Sequence, residues 1–182
     1  MTQLDRRIFS TFSSNLSAIT TLMEAGHHTH AITLIYSAID HMSWLNAAGE
    51  PGGRGFKDWV NRFLFNGNTF DFNAEDLWAA RCGLLHTGAA ESDLYRDGRA
   101  KLAYYVVGES QPDESMLNPV LTAHGITRSQ VVIVDYHWLS TEFVDALSRF
   151  HAHLLADATA HTRAAQKAAM QMVFQVSSDV ST

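Results

Sequence analysis

One stretch constrains this chain more than any other: residues 73–88, NAEDLWAARCGLLHTG. It marks both ends of a helix. Asn73 is a ready N-cap, Glu75 and Asp76 put negative charge where the helix dipole favours it, and Gly88 can take the left-handed conformation past the end. Between these ends Leu77, Ala80, Leu84 and Leu85 recur at helical spacing, so the segment needs a bundle in which to bury one face. Arg81 falls inside that stripe. A guanidinium stays charged at any working pH, so an arginine on a buried stripe demands an anionic partner. His86 follows five residues later, in the last turn, and the run from Arg81 to His86 is where chemistry is first sought.

The chain around it is 182 residues long, enough for one domain with a substantial core. We expect a single domain over residues 1–175 and a disordered tail over residues 176–182. A formal charge of −6 argues against a protein that coats polyanions, although it leaves room for a small cationic pocket that handles one phosphate. Cys82 is the single cysteine, which rules out an intramolecular disulfide and fits a reducing compartment. The first fifteen residues lack the apolar run of a signal peptide, and no stretch reaches membrane-spanning length. The expectation is a cytoplasmic protein with no membrane partner.

Periodicity predicts a first helix over residues 3–24 (Leu4, Ile8, Phe12, Leu16, Ile19, Leu22) and a second over about 28–46. The stripe of the second is Ile32, Ile35, Ile39 and Met42, with Tyr36, Asp40 and Trp44 on its flank. AGEPGGRG, residues 48–55, is the clearest loop. Residues 56–65 read as a short third helix stopped by Asn66-Gly67-Asn68. After the fourth helix the period changes. Residues 101–107 and 130–136 are rich in β-branched and aromatic side chains and predict two strands, joined by an irregular connection through Pro112, Pro119 and Gly125. An antiparallel ribbon is the simplest pairing. The last helix is expected from about Ser140 to Met172, its alanine-rich second half projecting or pairing with another subunit. The fold class is therefore mainly α: a bundle of about five helices with a small two-stranded β ribbon before the last.

The bare pattern Arg-x4-His is weak, since ten arginines and ten histidines in this length produce roughly half a match by chance. Its placement carries more weight: a well-capped helix, the arginine on the inner stripe, the histidine in the last turn. A purely structural account also fits, in which Arg81 pairs with an acid inside the bundle and His86 favours a helix C-terminus. Asp40, on the flank of the second helix, is the expected partner of Arg81 in either account. Glu91 and Asp93 are further candidates to bond His86. Other histidines give less. His27, His28 and His30 cluster at a helix start, and Glu24-x-x-His27 has di-iron spacing, but Gly26 interrupts it and no second copy exists. Cys82 beside Arg81 has the setting of an activated thiol and also that of a small core side chain. The Trp and Phe residues, at helical spacing, read as core. No cofactor or metal motif is present.

The run LWAARCGLLHTGAAESD, preceded by the helix LIYSAIDHMSWL, resembles the HEPN superfamily, small helical domains whose signature is Arg, four to six residues, then His near the end of a core helix. The resemblance covers about residues 4–94. It implies a metal-independent endoribonuclease, frequently a toxin or antiviral effector, working as a homodimer on RNA and in some cases held by an antitoxin. Some members serve instead as non-catalytic modules that bind a partner protein or nucleotide. Many catalytic members carry a polar residue after the arginine, where this chain has Cys82. On this resemblance His86 is the general acid/base, Arg81 the phosphate clamp and Asp40 the orienting carboxylate. Five residues advance about 500° around a helix, so Arg81 and His86 should diverge by about 140°. That divergence predicts that two copies across a two-fold axis assemble the site.

Overall fold

The structure is a computed structural model that describes residues 3–49, 52–88, 91–108 and 114–170. Among these the chain forms eight α-helices and two strands: α1 Gln3–Glu24, α2 His28–Asn46, α3 Gly53–Trp59, α4 Ala74–Thr87, α5 Asp93–Arg96, β1 Leu102–Val106, α6 Glu114–Ala123, β2 Val131–Asp135, α7 Tyr136–Ala156 and α8 Ala158–Ala168. No described helix is long and apolar enough to cross a membrane. The expected tail, residues 176–182, lies outside the described residues, as do Pro112 and the expected helix end at Met172.

The core forms where the apolar stripes converge. α2 buries Ile32, Ile35, Ile39, Met42 and Leu45 along one face, and α1 meets it with Ile8, Phe12 and Ile19. α7 closes the bundle with Leu139, Phe143, Leu147, Phe150 and Leu154, packing Phe150 edge-on against Trp59 and Phe63. Each such side chain contributes about 1.5–3 kcal/mol by leaving water. Tyr36, expected on the flank of α2, is wholly buried, and its hydroxyl bonds that of Tyr105 on β1. Burial pushes both phenols above the ordinary tyrosine range. The pair ties the sheet to the bundle.

α4 starts as its sequence requires. The Asn73 side chain accepts from the backbone N–H of Glu75 and Asp76, and Asp76 accepts in return from Asn73, a complete capping box. Gly88 ends it at φ 67. Leu77 and Ala80 are buried with Ala79, and Leu84 packs against the core's edge. The predicted third helix begins earlier, at Gly53, and its second half, Val60–Phe65, is π-helical before Asn66 turns left-handed at φ 50.

Three expectations are overturned. Among the described residues there are eight α-helices rather than about five. The sheet is parallel, with Leu102 opposite Val131 and Val106 opposite Asp135. Its connection contains α6, which a parallel pair needs as a crossover and which Pro119, inside the helix, disguises as irregular chain. The long last helix is two helices. Asp157 leaves helical geometry (φ −117, ψ 99) and caps α8 by accepting from Thr159 and Ala160. α8 does not project: it buries Ala160, Ala164, Ala165 and Ala168 against the bundle. From there Arg163 donates to the Asn46 carbonyl and Lys167 to the Ala47 carbonyl, satisfying the end of α2.

Candidate functional site

The site lies where α2, α4 and the start of α3 meet. Opposite its buried stripe, α2 carries Ser37, Asp40, His41 and Trp44, spaced i, i+3, i+4 and i+7 and therefore on one face. α4 brings Trp78 and Arg81, again three apart. These six side chains, with Ser43 and Gly52, line a cleft of about 440 Å³. Gly53 allows the elements to approach. A Cβ there would meet the Trp78 indole at 2.8 Å, so only glycine fits without displacing the ring.

Arg81 is the hub. Its Nε donates to Asp40 Oδ2 at 2.6 Å, and its Nη2 lies 2.5 Å from the same oxygen in the ion pair. Nη1 donates to His86 Nε2 at 3.1 Å, and the guanidinium carbon lies 5.0 Å from the Trp78 ring centroid. The structure thus brings Arg81, His86 and Asp40 together. The divergence of about 140° around the axis does not keep the two side chains apart. Their Cα atoms do diverge, but helical side chains lean toward the N-terminus, so His86 reaches back while the long arginine spans the gap.

Neither member is sealed away. The Arg81 and Asp40 side chains retain 18% and 27% exposure, and His86 is exposed. Burial raises the Asp40 carboxyl above its ordinary range, opposed by the hydrogen bond and charge of Arg81 and by His86. Arginine has no acceptor, so the Arg81 contact requires an unprotonated Nε2 on His86, with its proton on Nδ1. That is an imidazole with a basic nitrogen held beside a cation. Cys82 is half-buried, and burial raises its thiol despite Arg81, which removes the setting of an activated nucleophile. Asp93 pairs with Arg96 at the start of α5 rather than with His86. Among the described residues no three His, Cys, Asp or Glu side chains gather into a group that could hold a metal ion.

Sequence reasoning missed the walls. Trp44, expected on the flank of α2, and Trp78, expected in the core, are both half-buried: they pack against the core and also line the cleft with His41, which stacks on Trp44 at 5.9 Å and 28°. The available signal was spacing: Trp44 lies four residues after Asp40, and Trp78 three before Arg81. A larger cleft, about 810 Å³, opens between the segment Thr69–Phe72, Lys101, Arg128 and β2. It shares no residue with the Arg81 site. No family model, curated protein or solved structure matches this chain.

Proposed function

We propose that this chain is a HEPN-type endoribonuclease that cleaves RNA without a metal, with His86 moving the proton, Arg81 holding the phosphate and Asp40 orienting Arg81. One observation carries the reading: a single arginine joins a carboxylate to a basic imidazole nitrogen at the wall of an open cleft. Cleavage of this kind needs a base for the ribose 2′-hydroxyl proton, positive charge at the phosphorane and an acid for the departing 5′-oxygen. Arg81 offers a guanidinium matched to phosphate oxygens. An incoming phosphate competes with His86 for Nη1, and losing that bond frees Nε2 to take the 2′-hydroxyl proton. The 2′-oxygen then attacks phosphorus and the 5′-oxygen leaves with a proton, giving a 2′,3′-cyclic phosphate and a 5′-hydroxyl.

The acid is the reason to keep a homodimer in the proposal. One imidazole contacts Arg81 in one chain, and a second copy supplies a second His86. A second reading, a non-catalytic module that binds a partner protein or nucleotide at the same cleft, is favoured by the Asp40 carboxylate, which already neutralises much of Arg81. Cleavage of mixed RNA in excess EDTA separates the two. The nuclease reading expects His86→Ala and Arg81→Ala to lose at least about a hundredfold in rate with the fold intact. Equal cleavage by parent and variants, or none by a confirmed dimer, rejects it.

A further inference from the structure

The cleft of about 810 Å³ beside β2 has no part in the chemistry at Arg81. We infer that it is a docking groove for an extended peptide of a partner protein, which adds a strand to the outer edge of β2 and lays an acidic C-terminal end against Lys101 and Arg128. The inference does not depend on the nuclease reading.

The backbone defines the edge. Along a strand, successive residues turn their N–H and C=O to opposite sides, so one residue of known direction settles the others. The N–H of Lys101, which leads into β1, points away from β2 to Asp76 on α4. With Leu102 opposite Val131, the ladder then uses Leu102, Tyr104 and Val106 on β1 and Val132 and Val134 on β2. Val131, Ile133 and Asp135 turn their backbone groups outward. Val131 agrees independently: its N–H bonds the Arg128 carbonyl, and its own carbonyl accepts from Arg128 Nη1 at 3.1 Å. Asp135 is the N-cap of α7. Ile133 faces the cleft, and among the described residues none meets its N–H or C=O on that side. Since α4 borders the outer side of β1, this edge of β2 is where a strand can be added.

The walls match the two faces of such a strand, whose side chains alternate in direction. On one face of the sheet Val131 packs with Leu117 of α6; on the other Val132 and Val134 join the core that holds Phe70 and Phe72. Leu117, Phe70 and Phe72 all line the cleft, so alternate residues of a docked strand meet apolar surface on both sides. Charge gives the direction. Lys101 immediately precedes β1 and Arg128 stands just before β2, so in a parallel, in-register sheet both cations mark the same end. Both are exposed, and among the described residues no carboxylate pairs with either, in a chain of net charge −6. Asp71 is the one acid among the lining residues. A peptide antiparallel to β2 brings its C-terminal end to the two cations, whereas a parallel one would bring its N-terminal end there.

The test selects random peptides displayed with free C-termini against the intact chain, then titrates an enriched peptide carrying fluorescein. Selection should favour β-branched residues followed by Asp or Glu at the C-terminal end. Binding should weaken at least about tenfold in the Lys101→Glu, Arg128→Glu double variant. Methylating the peptide's own backbone nitrogens leaves the protein untouched and should abolish binding at alternate positions only. Amide hydrogen exchange reads the edge directly. In the free chain the Ile133 N–H should exchange much faster than those of Val132 and Val134, and the peptide should slow it at least about tenfold. No enrichment, enrichment without an acidic end, indifference to the charge reversals, or equal tolerance of methylation at every position overturns the inference. Slow exchange at Ile133 in the free chain also overturns it: a second copy holds the edge if dilution releases it, and another segment of this chain if dilution does not. Any RNA cleavage should be the same in the double variant as in the parent, so this inference and the nuclease reading fail separately.

Discussion

Arg81 and His86 sit five residues apart on one helix, yet Nη1 of the first meets Nε2 of the second at 3.1 Å. The contact makes the pair a unit: whatever binds Arg81 alters the hydrogen bonding of the His86 imidazole. Asp40 holds the other side of the same guanidinium and so decides how much of its charge an incoming anion meets.

Asp40→Asn tests that division. It keeps the shape and removes the charge, leaving Arg81 partly buried without its anion, and unfolding stability should fall by about 1–3 kcal/mol in urea titration. Replacing both partners by apolar residues, Asp40→Leu with Arg81→Met, should recover much of that loss while abolishing activity. If Asp40 positions Arg81, Asp40→Asn lowers kcat several-fold and leaves KM unchanged or lower, since phosphate then meets a less neutralised cation. A higher KM at constant kcat would place Asp40 in substrate binding instead.

Cys82 should behave as an ordinary half-buried thiol. Burial raises it above its usual range, so alkylation by iodoacetamide at mild alkaline pH should be slower than that of free cysteine. Cys82→Ala should retain cleavage. Rapid modification, or loss of activity in a folded Cys82→Ala protein, would return the thiol to the mechanism.

Acid sensitivity should trace to two histidines. Burial lowers both His41 and His153 from 6.5, with Arg62 adding to the effect at His153. The unfolded chain then takes up protons at a higher pH than the folded one. Stability is fully present above pH 6.5 and falls as the pH drops below it toward the lowered folded values. His41→Gln should flatten part of the decline measured by urea midpoint between neutral and mildly acidic pH, and adding His153→Gln should flatten more. A slope unchanged in the double variant would contradict this.

Asp76 joins the site helix to the sheet. One carboxylate oxygen accepts from the Asn73 N–H at 3.0 Å and the other from the Lys101 N–H at 2.7 Å, with the side chain 2% exposed. Asp76→Ala removes the acceptor of two part-buried backbone donors and should cost about 1–3 kcal/mol, read as a lower urea midpoint at constant slope.

The helices that carry the site were legible because local chemistry and periodicity agree. Asn73, Asp76 and Gly88 mark α4 without ambiguity, and a charged residue on a buried stripe announced that Arg81 needs a partner such as Asp40. The failures arose where one residue carries two meanings. Pro119 reads as a helix breaker but is tolerated in α6, and with that helix hidden the strands looked antiparallel. Asp157 looks like one more polar residue on a long helix, whereas it is the cap that turns the chain into α8. Trp44 and Trp78 fit the apolar spacing of core residues, and only the packing of α2 on α4 shows that they wall a cleft. The Arg81–His86 contact depends on side-chain lean and reach, which a count of degrees per residue does not contain.

The central claim is that Arg81 and His86 cut RNA through its own 2′-hydroxyl without a metal. The most direct measurement is cleavage of a single-stranded RNA in excess EDTA, beside the same strand carrying one 2′-deoxy substitution at a mapped cleavage position. The account predicts chelator-insensitive cleavage that leaves a 2′,3′-cyclic phosphate and disappears at the substituted position alone. Cleavage that requires a divalent ion, or that proceeds equally at the deoxy position, would contradict it.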